Sequence, residues 1–122
     1  MRSMFIGRYQ PFHEGHFTLI NEVLKEEGGK VLIALRDTPI RNTDPYSIEE
    51  RIEVIKVYFP DAVFYPYENG WKSADVVIVG IPDIGEVCYG RKVGWGMREI
   101  KLDEKTEAIS ATKIRANMKE EK

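Results

Sequence analysis

The chain has 122 residues, 43% of them hydrophobic and 31% charged, with a formal net charge of −2; that is the make-up of one globular domain with a real core. There is no long basic block, so nucleic acid is not expected as a main partner, and no apolar run approaches the ~20 residues of a membrane span. Cys88 is the only cysteine, so no disulfide framework forms within the chain, and the start, MRSMFIGRYQ, has no long apolar stretch of the secretory kind; a cytoplasmic location is expected.

The elements alternate between strand and helix. Ser3 to Ile6 reads as a first strand, followed by the run GRYQPFHEGH from Gly7 to His16. Gly15 to Glu27 reads as a helix with Phe17, Ile20, Val23 and Leu24 on one face, stopped by Gly28-Gly29. Lys30 to Leu35 is a nearly continuous apolar strand, as expected where both faces are covered. Arg36 to Tyr46 is a polar loop. Ser47-Ile48-Glu49-Glu50 is a capping box opening a helix that bears Ile48, Ile52, Ile55 and Phe59 and ends at Pro60. Ala62 to Tyr65 reads as a third strand and Asp75 to Val79 as a fourth, ending at Gly80. Gly85 to Gly96 is too rich in glycine for a confident helix; a short helix, a turn-rich excursion and a hairpin all stay open. Met97 to Leu102 reads as a fifth strand, and a last helix starts near Ser110 or Thr112. This order predicts an α/β, Rossmann-like three-layer fold: one domain over residues 1–122, with a parallel sheet of about five strands and helices on both faces. In such sheets ligands bind beyond the carboxyl ends of the strands. Residues 7–16, 36–44 and 80–84 all leave strand ends of this kind.

Two stretches bear chemistry. Both histidines of the chain, His13 and His16, lie where the first strand turns into a helix. Free backbone N–H groups and the helix dipole make that an anion-binding place; the plainer alternative is a histidine that only caps the helix. In the segment Ile109-Ser110-Ala111-Thr112-Lys113-Ile114-Arg115, two hydroxyls precede a helix with two basic residues in its first turn. These can hold phosphate, or simply cap the helix and solvate one face. Neither a G-x-x-x-x-G-K-[ST] loop nor a complete dinucleotide fingerprint is present, since Gly94-Trp95-Gly96 continues to Met-Arg-Glu.

FHEGH resembles the (H/T)-x-G-H signature of the nucleotidyltransferase superfamily, and ISATKIR resembles its I-S-x-T-x-I-R signature, in the expected order. The longer string G-R-Y-Q-P-F-H-x-G-H is most similar to archaeal-type nicotinamide mononucleotide adenylyltransferases. DPYSIEER, from Asp44 to Arg51, is similar to their N-P-F-T-x-x-E-R segment. Lys105-Thr106-Glu107-Ala108 is similar to the R-T-E-G run of glycerol-3-phosphate cytidylyltransferase. The resemblance implies direct in-line transfer: an acceptor phosphate oxygen attacks the α-phosphorus of a nucleoside triphosphate and pyrophosphate leaves. Such chemistry asks for positioning and charge stabilisation rather than a protein nucleophile.

The resemblance also implies roles. His13 and His16 donate N–H bonds to triphosphate oxygens. Gly7 and Gly15 belong to the phosphate-binding stretch, Gly15 allowing close backbone approach. Arg8 and Arg115 clamp phosphate oxygens. Ser110 and Thr112 cradle the β- and γ-phosphates, with Lys113 a weaker candidate. Mg²⁺ is expected to be held by the triphosphate and water, with no protein side chain as ligand. Gln10, Arg36 and Arg41 are candidates for the acceptor, set against solvated loop residues. Arg8 has the alternative of a salt bridge to Glu14 or Glu50. Trp71 and Trp95 stack on a ring or pack in a core or interface, and Asp83 touches nucleotide or serves a turn. The expected reaction is AMP transfer from ATP to a phosphate-bearing acceptor such as nicotinamide mononucleotide. Cytidylyl transfer to a small polyol or sugar phosphate is the enzyme alternative; a nucleotide-binding module without turnover is the alternative of another class. The expected partners are a nucleoside triphosphate, a small phosphorylated acceptor and a second copy of the chain, through Val87 to Met97, with no nucleic acid and no membrane.

Overall fold

A computed structural model describes residues 1–88 and 96–100. The elements are β1 (Ser3–Gly7), α1 (Glu14–Leu24), β2 (Val31–Asp37), α2 (Ile48–Tyr58), β3 (Val63–Phe64) and β4 (Val76–Pro82). This is the order the sequence predicts. β2 and β4 each run past their apolar stretches because their ladder continues through Leu35↔Gly80, Arg36↔Ile81 and Asp37↔Pro82. β3 is only two residues long and sits at an edge, just before Pro66, which has no N–H to donate.

The strands form a parallel sheet in the order β1-β2-β4-β3, and the chain has an α/β, Rossmann-like fold. Side chains alternate along a strand, so Val31, Ile33 and Leu35 of β2 point to the same face as Val76 and Ile78 of β4. Those residues share one core with Ile20 and Val23 of α1 and Ile52, Ile55 and Phe59 from α2 and its end. Both described helices therefore cover one face. The Phe17 ring of α1 meets Tyr58 at 5.6 Å and Phe59 at 5.2 Å, which joins the helices directly.

The second face is left to the last predicted helix, which lies outside the described residues. β1 to β2 and β2 to β3 step in the same direction across the sheet, so right-handed crossovers put α1 and α2 on the same side. The return from β3 to β4 is made by turns, with no helix. On the opposite face Ala34 and Val77 are buried, while Met4 and Ile6 of β1 are 50% and 40% exposed.

The fifth strand is a correction. Met97 to Ile100 form no strand; Arg98 pairs with Glu26 through two bonds of 2.9 and 3.0 Å, and Ile100 packs on the core. Alternation over so short a charged stretch does not supply a neighbouring edge to pair with. Residues 85–88 are irregular. Residues 89–95, Leu102 and the predicted last helix lie outside the described residues. Among the described residues, no helix is long and apolar enough to cross a membrane.

Candidate active site at the first strand–helix turn

His13 is the N-cap of α1, with extended backbone (φ −145°, ψ 179°). Its Nδ1 accepts the Gly15 N–H at 3.0 Å, and the Nδ1 of His16 accepts the His13 N–H at 3.1 Å. Two imidazoles thus build a reciprocal capping box, a task that Ser and Glu perform at the start of α2. The rings stack, with centroids 3.7 Å apart and planes 18° from parallel. An accepting Nδ1 has no proton, so in the neutral ring the proton sits on Nε2. Capping and ligand binding are therefore compatible: the cap uses Nδ1 of each ring and leaves each Nε2–H as a donor.

Burial lowers the pKa of His13. His16 is lowered to about 3, first by burial and then by the neighbouring His13. Both rings are neutral at pH 7. The wall around them is aromatic. Tyr9 meets the His16 ring edge-on at 4.8 Å, and Phe12 meets it at 5.2 Å. Tyr9 adopts a φ of 50°, and its ring folds back over Gly7, where a Cβ would lie 3.0 Å from its Cζ. Gly7 thus has a packing reason to be glycine. Burial pushes the Tyr9 hydroxyl well above its ordinary pKa, so it stays uncharged. Gly15 is buried in the first turn of α1.

The loop between β2 and α2 closes over this turn. Asp44 is fully buried. Its Oδ1 accepts from Arg8 Nη1 at 3.2 Å, and its Oδ2 accepts from Arg41 Nε at 2.7 Å and from the Thr43 hydroxyl at 3.3 Å. Burial alone would raise the carboxyl; the Arg41 hydrogen bond, the charges of Arg8 and Arg41 and the Thr43 hydroxyl outweigh it and hold the pKa below the ordinary value. Arg8 therefore pairs with Asp44, not with Glu14 or Glu50. Gln10 is buried, not solvated: its amide donates to the Tyr46 carbonyl at 3.1 Å and accepts the Tyr46 N–H at 2.9 Å. Arg51, 1% exposed, donates to the carbonyls of Arg8 (2.9 Å), Arg36 (2.8 Å) and Ser47 (3.3 Å). Burial lowers its guanidinium pKa, against the charges of Asp37, Asp44 and Glu49.

Two other candidates pair with each other, since Arg36 reaches Asp83 at 2.6 and 3.1 Å across the ends of β2 and β4. Trp71 is 38% exposed and stacks edge-on against Tyr65, with Lys72 over its ring. A cleft of 640 Å³ opens beyond β2 and β4 at the start of α2, lined by Asp37, Glu49, Phe64, Tyr65 and Tyr67 among others. Gly80 leaves room there, as a Cβ would come within 2.8 Å of Ile48 Cδ1. The structure thus joins Arg8 to Arg41 through Asp44 and Gln10 to Tyr46, in the same turn of chain that carries His13 and His16, and turns the Arg36 side chain to Asp83. Ser110, Thr112, Lys113, Arg115 and Trp95 lie outside the described residues. Sequence reasoning assigned no role to Asp44 or Arg51. The local cues were Arg41 and Thr43 beside Asp44 and Ser47 one turn before Arg51; the partners Arg8 and Arg36 are remote in sequence. Thr38 is a further surprise, its buried hydroxyl having no hydrogen-bond partner among the described residues.

Residues 4–68 match the protein family described as cytidylyltransferase-like. The chain belongs to that family. It lies within the nucleotidyltransferase superfamily, and relatives at full length agree. A protein named nicotinamide-nucleotide adenylyltransferase from Sulfurisphaera tokodaii is 30% identical over 98% of this chain and 80% of its own. One of the same name from Methanococcus aeolicus is 30% identical over 94% of this chain and 76% of its own. An uncharacterized protein of Aeropyrum pernix is 37% identical over 51% of this chain. That match and one to a nicotinamide-nucleotide adenylyltransferase of Thermococcus sibiricus span only 37% and 42% of those relatives' lengths. No solved structure matches the chain. Among the described residues, no three side chains of His, Cys, Asp or Glu are grouped to hold a metal ion.

Proposed function

We propose that this member of the cytidylyltransferase-like family is an adenylyltransferase. It moves AMP from ATP to a phosphate-bearing acceptor such as nicotinamide mononucleotide and releases pyrophosphate. The observation that supports this most is the stacked histidine pair: each Nδ1 is spent on the helix cap, and each ring keeps an Nε2–H at the open end of β1.

In the proposed step an acceptor phosphate oxygen forms a bond to the α-phosphorus. The bond from that phosphorus to the bridging oxygen breaks, and its electron pair leaves on pyrophosphate. The Nε2–H groups of His13 and His16 donate to the oxygens on which this charge grows. With each Nδ1 accepting a backbone N–H, the rings present their Nε2–H groups as fixed donors. The first turn of α1 adds its dipole. Arg8 clamps phosphate, and Arg41 takes the acceptor side. Gly15 keeps the backbone close. Ser110, Thr112, Lys113 and Arg115 are proposed to hold the β- and γ-phosphates from the other signature. The donors at the turn are all N–H groups, which suit phosphate oxygens; Mg²⁺ would arrive with the triphosphate and offset its charge. Gln10 serves here as a brace through its bonds to Tyr46 rather than as an acceptor contact, and Arg36 is held by Asp83.

The choice of acceptor leans on the relatives' printed name and on the cleft. Asp37 and Glu49 beside Phe64, Tyr65 and Tyr67 suit a positively charged aromatic ring. A polyol would use those carboxylates as hydrogen-bond acceptors only, without the pairing of charge. Cytidylyl transfer to a polyol or sugar phosphate keeps the support of the Lys105-Thr106-Glu107-Ala108 run. The deciding experiment crosses four nucleoside triphosphates with nicotinamide mononucleotide, phosphopantetheine, glycerol 3-phosphate and sugar phosphates, with Mg²⁺, and follows pyrophosphate. ATP with nicotinamide mononucleotide should be fastest. CTP with glycerol 3-phosphate as the fastest pair would favour the alternative; triphosphate binding with no pyrophosphate from any pair would make the chain a binding module. We place the protein in the cytoplasm and propose self-association around Val87 and Met97, which are 67% and 98% exposed; sedimentation at micromolar concentration tests the association.

A further inference from the structure

Asp44 has no role in the reading above, yet it is a fully buried carboxylate held by two arginines whose side chains are 46% and 54% exposed. Keeping a carboxylate dry is costly and is rarely explained by packing alone. Its own position is fixed: the backbones of Arg41 and Asp44 exchange two hydrogen bonds of 3.0 Å, and the Thr43 hydroxyl meets Oδ2. Arg8 is fixed from the other side, since Arg51 holds its carbonyl. One guanidinium sits on each carboxylate oxygen. Each uses one of its five N–H donors on Asp44, and the others meet no hydrogen-bond partner among the described residues. Without a carboxylate between them, two like charges at this spacing would drive each other apart.

We propose that Asp44 is a positioning residue for an oxyanion fork: from its buried site it holds Arg8 and Arg41 side by side so that both grip one phosphate-type group. The inference rests on the nucleotidyl-transfer reading and replaces its division of Arg8 and Arg41 between two phosphates with a joint grip on one, for which that reading supplies two sources, the triphosphate and the acceptor phosphate.

Titration calorimetry tests it without requiring turnover, so absence of pyrophosphate release, which would defeat the transferase reading, does not decide this one. The full chain is titrated with inorganic tripolyphosphate in one arm and with ribose 5-phosphate in the other, at pH 7. Asp44→Asn keeps the shape and removes the charge; it should weaken binding at least fivefold in one arm, and that arm names the source. In an Arg8→Ala/Arg41→Ala background, the same substitution should change Kd by less than twofold, because Asp44 acts only through those two side chains. Binding within twofold of wild type in both arms would overturn the proposal, as would an equal loss in both backgrounds. Should Asp44→Asn fail to fold, the exposed positions are still testable: Arg8→Lys/Arg41→Lys keeps the charge but loses the planar fork, and should weaken the same arm at least fivefold. Unchanged binding by that variant would equally defeat the fork.

Discussion

His16 serves two purposes through two atoms, and substitutions can separate them. Gln at the third position of a helix can also reach back to the cap N–H. His16→Gln should therefore keep most of the stability of α1 while removing the Nε2–H. We expect it to lower kcat for pyrophosphate release at least tenfold, about 1.4 kcal/mol of transition-state stabilisation or more, with a melting temperature close to wild type. A tenfold loss accompanied by unfolding would assign His16 to the cap alone. The same residue gives a pH signature. Its pKa falls from 6.5 to about 3 on folding, by burial and then by His13. The unfolded chain thus binds more protons below pH 6.5, and stability drops as pH falls from there toward 3, by at most about 1.4 kcal/mol per pH unit for each histidine. Urea melts at pH 7.5 and pH 5.5, above the range of ordinary carboxylates, should show this drop in wild type and a shallower one in His16→Gln.

At the scale of elements, Arg51 joins what α2, β1 and β2 would otherwise leave loose. Its guanidinium answers carbonyls at the ends of β1 and β2 from inside the protein. Arg51→Met fills much of the same space but strands those carbonyls, each at about 1–3 kcal/mol. We expect a loss of 2 kcal/mol or more in denaturant unfolding. The contrast is Arg36, whose pair with Asp83 is part-exposed, 33% and 44%. Such pairs are worth about 0–1 kcal/mol, so Arg36→Ala should leave the unfolding midpoint nearly unchanged. The Ser47–Glu50 box was legible from four letters and is present as read; Ser47→Ala should cost about 1 kcal/mol. The box at α1 was not legible as such, because histidine is seldom considered for both of its positions.

At the scale of the molecule, the order β1-β2-β4-β3 places β2 and β4 at the centre, with zero exposure at Ile33 and Ile78. Either residue changed to Ala should destabilise the whole domain by about 2–5 kcal/mol, since the cavity would lie between the sheet and both helices. Four strands and two helices were legible within a residue or three, because apolar period and capping residues are local signals. The strand order was not, nor the sharing of one face by α1 and α2, because both depend on which strands become neighbours.

The sequence by itself determined the alternation of strand and helix, the turn that holds both histidines and the superfamily. The first two follow from spacing along the chain, and the superfamily from the resemblance of FHEGH and ISATKIR to its signatures. Only the tertiary structure decided what the loop charges do. It placed Arg8 and Arg41 on one buried Asp44, turned Gln10 inward to Tyr46, paired Arg36 with Asp83 and set Arg51 across two strand ends. A charge chooses its partner by distance in space, and positions 8 and 44, or 36 and 83, become neighbours only when the strands they leave lie in one sheet.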